Sequence, residues 1–167
     1  MCLATIIWGF WVSSIADRFG LDVGARFIER DNAEVSAHSL SLWLRDNATA
    51  RWARPYRNYV MPLDSVYMLL LGGFLGVGSL SCAEAILWPS TLTLWQRLLV
   101  IALPVLYVVS DAIEDVLIFV QLQKSNLVNQ STFAVMRKAT QAKKIFVSAA
   151  LVETLVLGIW ATFFAEG

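Results

Sequence analysis

Runs of apolar residues long enough to cross a bilayer dominate this chain, and they limit what it can fold into more tightly than any other feature. Four stand out, at residues 1–16, 65–88, 94–121 and 144–164. A helix needs about 20 apolar residues to span the hydrocarbon layer, so the first run is short and the other three are long enough. Composition agrees. Apolar residues make up 57% of the chain and charged residues 16%, against roughly 45–50% and about 25% in soluble domains. The chain has too few polar residues to cover a core of that size, whereas lipid can take the place of a core. The expected fold class is all-α, a polytopic membrane protein with four transmembrane helices forming a single membrane domain over residues 1–167. The first run also admits a second reading as a signal segment cleaved after Ser14-Ile15-Ala16, although it lacks the positively charged start of such a segment.

The basic residues orient these spans. Arg18, Arg26, Arg30, Arg45, Arg51, Arg54 and Arg57 fall between the first and second runs, and Lys124, Arg137, Lys138, Lys143 and Lys144 gather between the third and fourth. Only Arg97 lies between the second and third. Four alternating spans put the two basic loops on one side. The positive-inside rule then makes that side cytoplasmic, with both termini outside, as in a bacterial inner membrane. Trp88 and Trp95 bracket the short outer turn, where amphipathic rings favour the headgroup layer. Cys2 and Cys82 would both lie near the outer face, where a disulfide can form if their Cα atoms come within about 7 Å.

The first basic loop carries a helical pattern. Asp31 and Glu34 have capping-box spacing, and Val35, Leu40, Trp43 and Leu44 share a face, which predicts an amphipathic in-plane helix within residues 31–54. Pro55 is expected to end it, and Pro62 to open the second span. His38 belongs to this segment as an ordinary interfacial residue. The last helix is expected to begin near Ser131 and to run unbroken into the fourth span, about 50 Å in all.

Span two presents Gly72 and Gly76 as a GxxxG pair, extended by Ser79 and Ala83. Such a stripe of small residues lets another helix of the same bundle approach closely. The acids are the sharper signal. Asp111, Glu114 and Asp115 occupy positions i, i+3 and i+4 of span three, on one side of the helix. Glu153 lies within span four, Asp64 near the inner end of span two, and Glu84 near its outer end. A charged Asp at the centre of a span costs roughly 2.5–3.5 kcal/mol on the insertion scale. These acids must therefore be protonated, hydrated, bound to a cation, or paired with basic side chains reaching in from the rim, for which Arg57, Lys143 and Lys144 are placed. The expected site is Asp111, Glu114 and Asp115 with Glu153 facing them across the bundle. The alternative ends span three near Ser110 and leaves the acids in the headgroup layer. Pro104 lies seven residues before Asp111, where its missing N–H can kink the helix.

Other chemistry is excluded. His38 is the only histidine, so a bis-histidine haem is ruled out, and Cys2 and Cys82 lack metal-ligand spacing. Phosphate-loop, serine-hydrolase and zinc-protease motifs are absent. Zero net charge and dispersed arginines argue against nucleic acid. No cofactor is expected. The strings RNYVMPLDSVYMLLLGG, ALPVLYVVSDAIEDVLIF and FAVMRKATQAKKIF resemble a group of uncharacterised bacterial four-helix membrane proteins, whose third span carries Asp-x-x-Glu-Asn after a proline. Pro62, Pro104, Asp111, Glu114 and Lys144 match, and Asp115 replaces the Asn. The resemblance implies the topology and no activity.

Three functions fit these residues. One is an intramembrane carboxylate site that handles protons or a small cation, or holds the polar end of an apolar ligand. Another is an accessory subunit docking a larger membrane complex. The third is a lipid- or isoprenoid-modifying enzyme with Glu114 as proton donor. The lipid bilayer is the one partner common to all three. The charge asymmetry predicts that Lys138 is cytoplasmic and Gly167 outside. Reporter fusions after Gly167 and within residues 127–131 should read accordingly, and a cytoplasmic signal from the C-terminal fusion would reject this arrangement.

Overall fold

The computed structural model describes residues 7, 10, 36–46, 50–51, 53–87, 90–123 and 128–164. These residues form four helices and no strands: α1 (Ala37–Arg45), α2 (Ala53–Ile86), α3 (Leu94–Gln123) and α4 (Gln130–Phe164). The three long helices alternate in direction and pack pairwise into a bundle, and α1 closes one end of it. We call that end, which holds the start of α2 and α4 and the end of α3, the inner end.

Of the four expected spans, the one at residues 1–16 lies outside the described residues apart from the exposed, helical Ile7 and Phe10. Helices α2 and α4 are each long and apolar enough to cross a membrane. Helix α3 has the length but is not one of these two, and it carries Arg97, Asp111, Glu114 and Asp115 among its 30 residues.

Helix α1 starts at a reciprocal cap. Ser39 N–H donates to Ser36 Oγ at 3.1 Å, and Ser36 N–H donates to Ser39 Oγ at 2.8 Å. The expected cap at Asp31 and Glu34 falls on residues outside those described. The helix stops at Asp46, whose backbone turns extended, so it is shorter than the pattern suggested. Leu40 and Leu44, one turn apart, are buried against Tyr56, Val60, Ile118, Leu122, Phe133 and Met136. The apolar face of α1 is thus covered by the chain's own bundle, where the sequence reading had it facing the bilayer interface. His38 is on the exposed side.

The two prolines act differently from expectation. Pro55 does not terminate α1 but sits in the first turn of α2, where a residue without an N–H costs nothing. Pro62 falls inside the continuous helix rather than at its start. It offers no N–H to the Asn58 carbonyl, and Tyr56–Val60, which ends one residue short of it, takes π geometry, with Met61 N–H donating to Tyr56 O. Helix α3 begins at a capping box that the sequence reading missed: Gln96 Oε1 accepts from Thr93 N–H at 2.8 Å and from Thr93 Oγ1 at 2.9 Å. The cap of α4 is Asn129, not Ser131. Its Oδ1 accepts from Ser131 N–H at 2.9 Å and from Ser131 Oγ at 2.7 Å. Helix α4 then runs 35 residues, about 52 Å at 1.5 Å per residue.

One stripe of α2, through Met68, Gly72, Leu75, Ser79 and Ala83, is buried. Gly72 backs directly onto Val108 of α3, and a Cβ at Gly76 would meet Pro104 Cβ at 3.7 Å. The GxxxG pair therefore serves contact within the chain. On the α4 side, Ser79 Oγ and Thr154 Oγ1 share a hydrogen bond of 2.7 Å, and a Cβ at Gly158 would lie 3.9 Å from Cys82 Sγ. Cys82 is a free thiol, and Cys2 lies outside the described residues.

A methyl group at position 72 would overlap the branched, stiff Val108 side chain. Gly72→Ala should therefore cost about 1–3 kcal/mol. Gly73→Ala, where a Cβ meets nothing within 4 Å, should be neutral or slightly stabilising. Unfolding of both variants in detergent micelles checks the contrast, and equal midpoints would refute the close α2–α3 packing.

Candidate functional site

The buried seam of α3 is apolar at its inner end, with Ile118 and Leu122, and polar one to two turns earlier, with Ser110, Asp111, Glu114 and Asp115. Helical spacing places these acids on a single stripe facing α2 and α4. Asp111 and Glu114 are each only 1% exposed and Asp115 is 7% exposed. They lie between the helices, not in a solvated helix end. Ser110 turns its hydroxyl back to its own helix, donating to Leu106 O at 2.7 Å.

The positive charge comes from α4. Lys143 Nζ is 2.6 Å from Asp111 Oδ1, 3.0 Å from Glu114 Oε2 and 4.0 Å from Asp64 Oδ2. The lysine side chain is one-fifth exposed, so its stem reaches inward from the rim while its ammonium meets the buried acids. Thr140, one turn before it on α4, donates from Oγ1 to Glu114 Oε1 at 2.5 Å and lies 3.1 Å from Met136 O. On the α2 side, Ser65 Oγ is 3.0 Å from Asp115 Oδ2 and 3.0 Å from Met61 O. Asp64, Asp111 and Asp115 each bring one carboxylate oxygen to within 4.8 Å of the others. An all-oxygen set of this kind suits a hard cation, and only the fold assembles it, because Asp64 stands on α2 and the other two on α3.

Of the three rim cations that the sequence offered, Lys143 enters the cluster. Arg57 instead lies over the Phe119 ring, 5.7 Å from its centroid, and donates to Asn58 Oδ1 at 3.2 Å. Lys144 is exposed. Glu153 does not face the cluster. It stands ten residues beyond Lys143 on the same straight helix, about 15 Å along the axis, beside the Ser79–Thr154 contact. One of its carboxylate oxygens is buried there without a hydrogen-bond partner. The expected four-acid site is therefore corrected. Asp111, Glu114 and Asp115 come together, Asp64, Lys143, Thr140 and Ser65 join them, and Glu153 is separate. Lys143 was among the rim cations the sequence offered, and Thr140 lies three residues before it on the same face of α4, the spacing that could have added it to the site.

The arrangement has a definite chemical property. Asp111 and Glu114, both buried, share the ammonium of Lys143, and one positive charge cannot neutralise two carboxylates. Like charges this close repel each other, which opposes the attraction that each has for the ammonium. At the outer end, Glu84 and Arg97 form a 3.1 Å ion pair that is nearly half-exposed, a contact of little energetic weight.

No protein-family model matches the chain, and neither a curated protein nor a solved structure is significantly similar to it.

Replacing Lys143 by Met should leave the two carboxylates buried without their cation and cost about 3–5 kcal/mol. Adding Glu114→Gln should restore part of that loss by removing one of the two charges. Thermal unfolding of the single and double variants measures it, and a double variant no more stable than Lys143→Met would show that charge pairing does not hold this end together.

Proposed function

We propose that the chain is a small integral membrane protein that takes up protons or a small cation at the Asp111–Glu114–Lys143 cluster. The observation that carries this reading is that two almost fully buried carboxylates share one ammonium. A purely structural ion pair satisfies itself with one charge of each sign. Here two buried carboxylates share one ammonium, which favours a proton or cation as a further partner, and Asp64 and Asp115 bring carboxylate oxygens beside them. Buried carboxylates of this kind support a binding and exchange role.

Membrane insertion is part of the same proposal. The apolar helix at the core of a soluble protein is mostly buried, yet only 28% of the most apolar stretch of α2 and 6% of that of α4 are buried within the chain. Leu151, Val152, Leu155, Val156 and Ile159 of α4 all face outward, which supports lipid as their solvent. Helix α3 joins the other two as a span because its three acids are turned inward and its outward face is apolar, with Leu99, Val105, Val109 and Val116. With residues 1–16 as a further span, both termini fall outside and the cluster lies toward the cytoplasmic side, the topology implied by the resemblance to bacterial four-helix membrane proteins.

The test is flux. Purified protein reconstituted into liposomes that contain a pH-sensitive dye should dissipate an imposed proton or sodium gradient faster than protein-free vesicles. Glu114→Gln, nearly isosteric with the neutral acid, should fold and reduce the flux to that of empty vesicles, as should Asp111→Asn. Wild-type flux equal to that of empty vesicles for protons, sodium, potassium and magnesium would reject the reading.

A further inference from the structure

Opposite its buried acids, α3 turns a continuous apolar stripe outward. Val109, Ile113, Val116 and Val120 follow one another at i, i+4, i+7 and i+11, and all four are exposed. The stripe runs about 17 Å at 1.5 Å per residue, close to the roughly 15 Å of hydrocarbon in one leaflet of a bilayer. At the inner end of the bundle it stops beside two guanidinium groups of α2. Arg57 lies over the Phe119 ring, 5.7 Å from its centroid, so the ring holds the cation at the edge of the stripe. Its Nε donates to Asn58 Oδ1 at 3.2 Å, and its two terminal nitrogens have no protein partner among the described residues. Arg54, one turn earlier on α2, is exposed and forms no salt bridge among the described residues. The acids of α3 do not offset these charges. Asp111, Glu114 and Asp115 are turned to the other side of the helix and engaged with Lys143 and Ser65.

The geometry points to a binding site for one anionic phospholipid of the inner leaflet, its phosphate on Arg54 and Arg57 and an acyl chain along Val120, Val116, Ile113 and Val109. This rests on the reading of the chain as a membrane protein and is independent of what the ion cluster does. A guanidinium suits a phosphate because its planar fork offers paired N–H donors. Two such cations one turn apart repel each other, and an anion between them relieves that repulsion. A zwitterionic headgroup carries an ammonium of its own, which competes with the arginines for the phosphate. An anionic headgroup does not. A soluble phosphate would meet the arginines and leave the stripe beside them uncovered, so the adjoining apolar surface selects a lipid.

Native mass spectrometry of the full-length protein in detergent micelles, titrated with dioleoyl phosphatidylglycerol or dioleoyl phosphatidylcholine, reads the site. Each arginine beside an anionic headgroup strengthens binding about fivefold. The first phosphatidylglycerol should therefore be held about thirtyfold more tightly than the first phosphatidylcholine. Arg54→Gln should lower that preference about fivefold, and Arg54→Gln combined with Arg57→Gln should abolish it. Arg97→Gln, at the outer end where Arg97 is paired with Glu84, should leave it unchanged. Where loss of Arg57 from the Phe119 ring disturbs the fold, Arg54→Gln alone gives the comparison. Equal affinity of the wild-type protein for the two lipids overturns the site, as does a preference that survives both arginine variants. Displacement of the lipid by an equal concentration of glycerol 3-phosphate marks a site for free anions and overturns the lipid assignment. Carbonate extraction of native membranes separates this site from the wider reading. A chain that stays in the membrane and shows no lipid preference overturns the lipid site alone, and a chain released by carbonate overturns both.

Discussion

The inner half of the bundle depends on an ammonium held among carboxylates in a place that water hardly reaches. Lys143 draws Asp111 and Glu114 of α3 and Asp64 of α2 toward α4, so one side chain ties all three long helices together. Attraction between such charges grows as solvent is excluded, and so does the cost of leaving any of them unmatched. The packing around the cluster reflects that cost. Below it, α1 and the inner turns of α2, α3 and α4 bury Leu40, Leu44, Ile118, Leu122 and Met136 as an apolar plug, with the buried Gln121 amide donating to Met136 Sδ within it. Above it, Gly72 brings the backbone of α2 against Val108. The polar groups are sealed from both directions along the bundle, and the Lys143 stem provides the lateral route to the rim.

The outer half is held by different means. There the contacts between helices are small side chains and single hydroxyl pairs, Gly78 and Ser79 against Thr154, and Gly158 against Cys82. Close backbone approach and dispersion act in this region. Glu153 belongs to this half, with a buried oxygen that has no hydrogen-bond partner among the described residues.

Much of this was legible in the residues. Unbroken apolar runs of span length pointed to the long helices, and Gly72 and Gly76 announced a close contact. The i, i+3, i+4 spacing put Asp111, Glu114 and Asp115 on one face, and the cost of burying them pointed to rim cations, Lys143 among them. What the sequence could not supply was axial register between helices. Glu153 and Asp111 each lie on apolar spans with nothing in the sequence to say that they sit at different depths, and Asp64 gave no sign that it would share an ammonium with span three. Capping was read only in part, because Ser36 and Ser39 cap each other without the acid or amide the motif usually carries, and because Asn129 competes with Ser131 two residues later. Pro55 and Pro62 were misplaced for one reason. A proline can open a helix or interrupt one, and which it does depends on whether the preceding turn can widen, as the Tyr56–Val60 turn does.

Helix α4 has no proline, and its single glycine, Gly158, lies well beyond Lys143. From the cap at Asn129 to Phe164 it is one stiff rod, with the ammonium fixed about two-fifths of the way along it and exposed apolar side chains on the outer part. A rod transmits tilt. A tilt imposed on the exposed outer part would reach the ion cluster as a sideways displacement of Lys143. The carboxylates on α3 would not follow by the same amount, so the tilt of α4 and the distances within the cluster are linked through the length of a single helix.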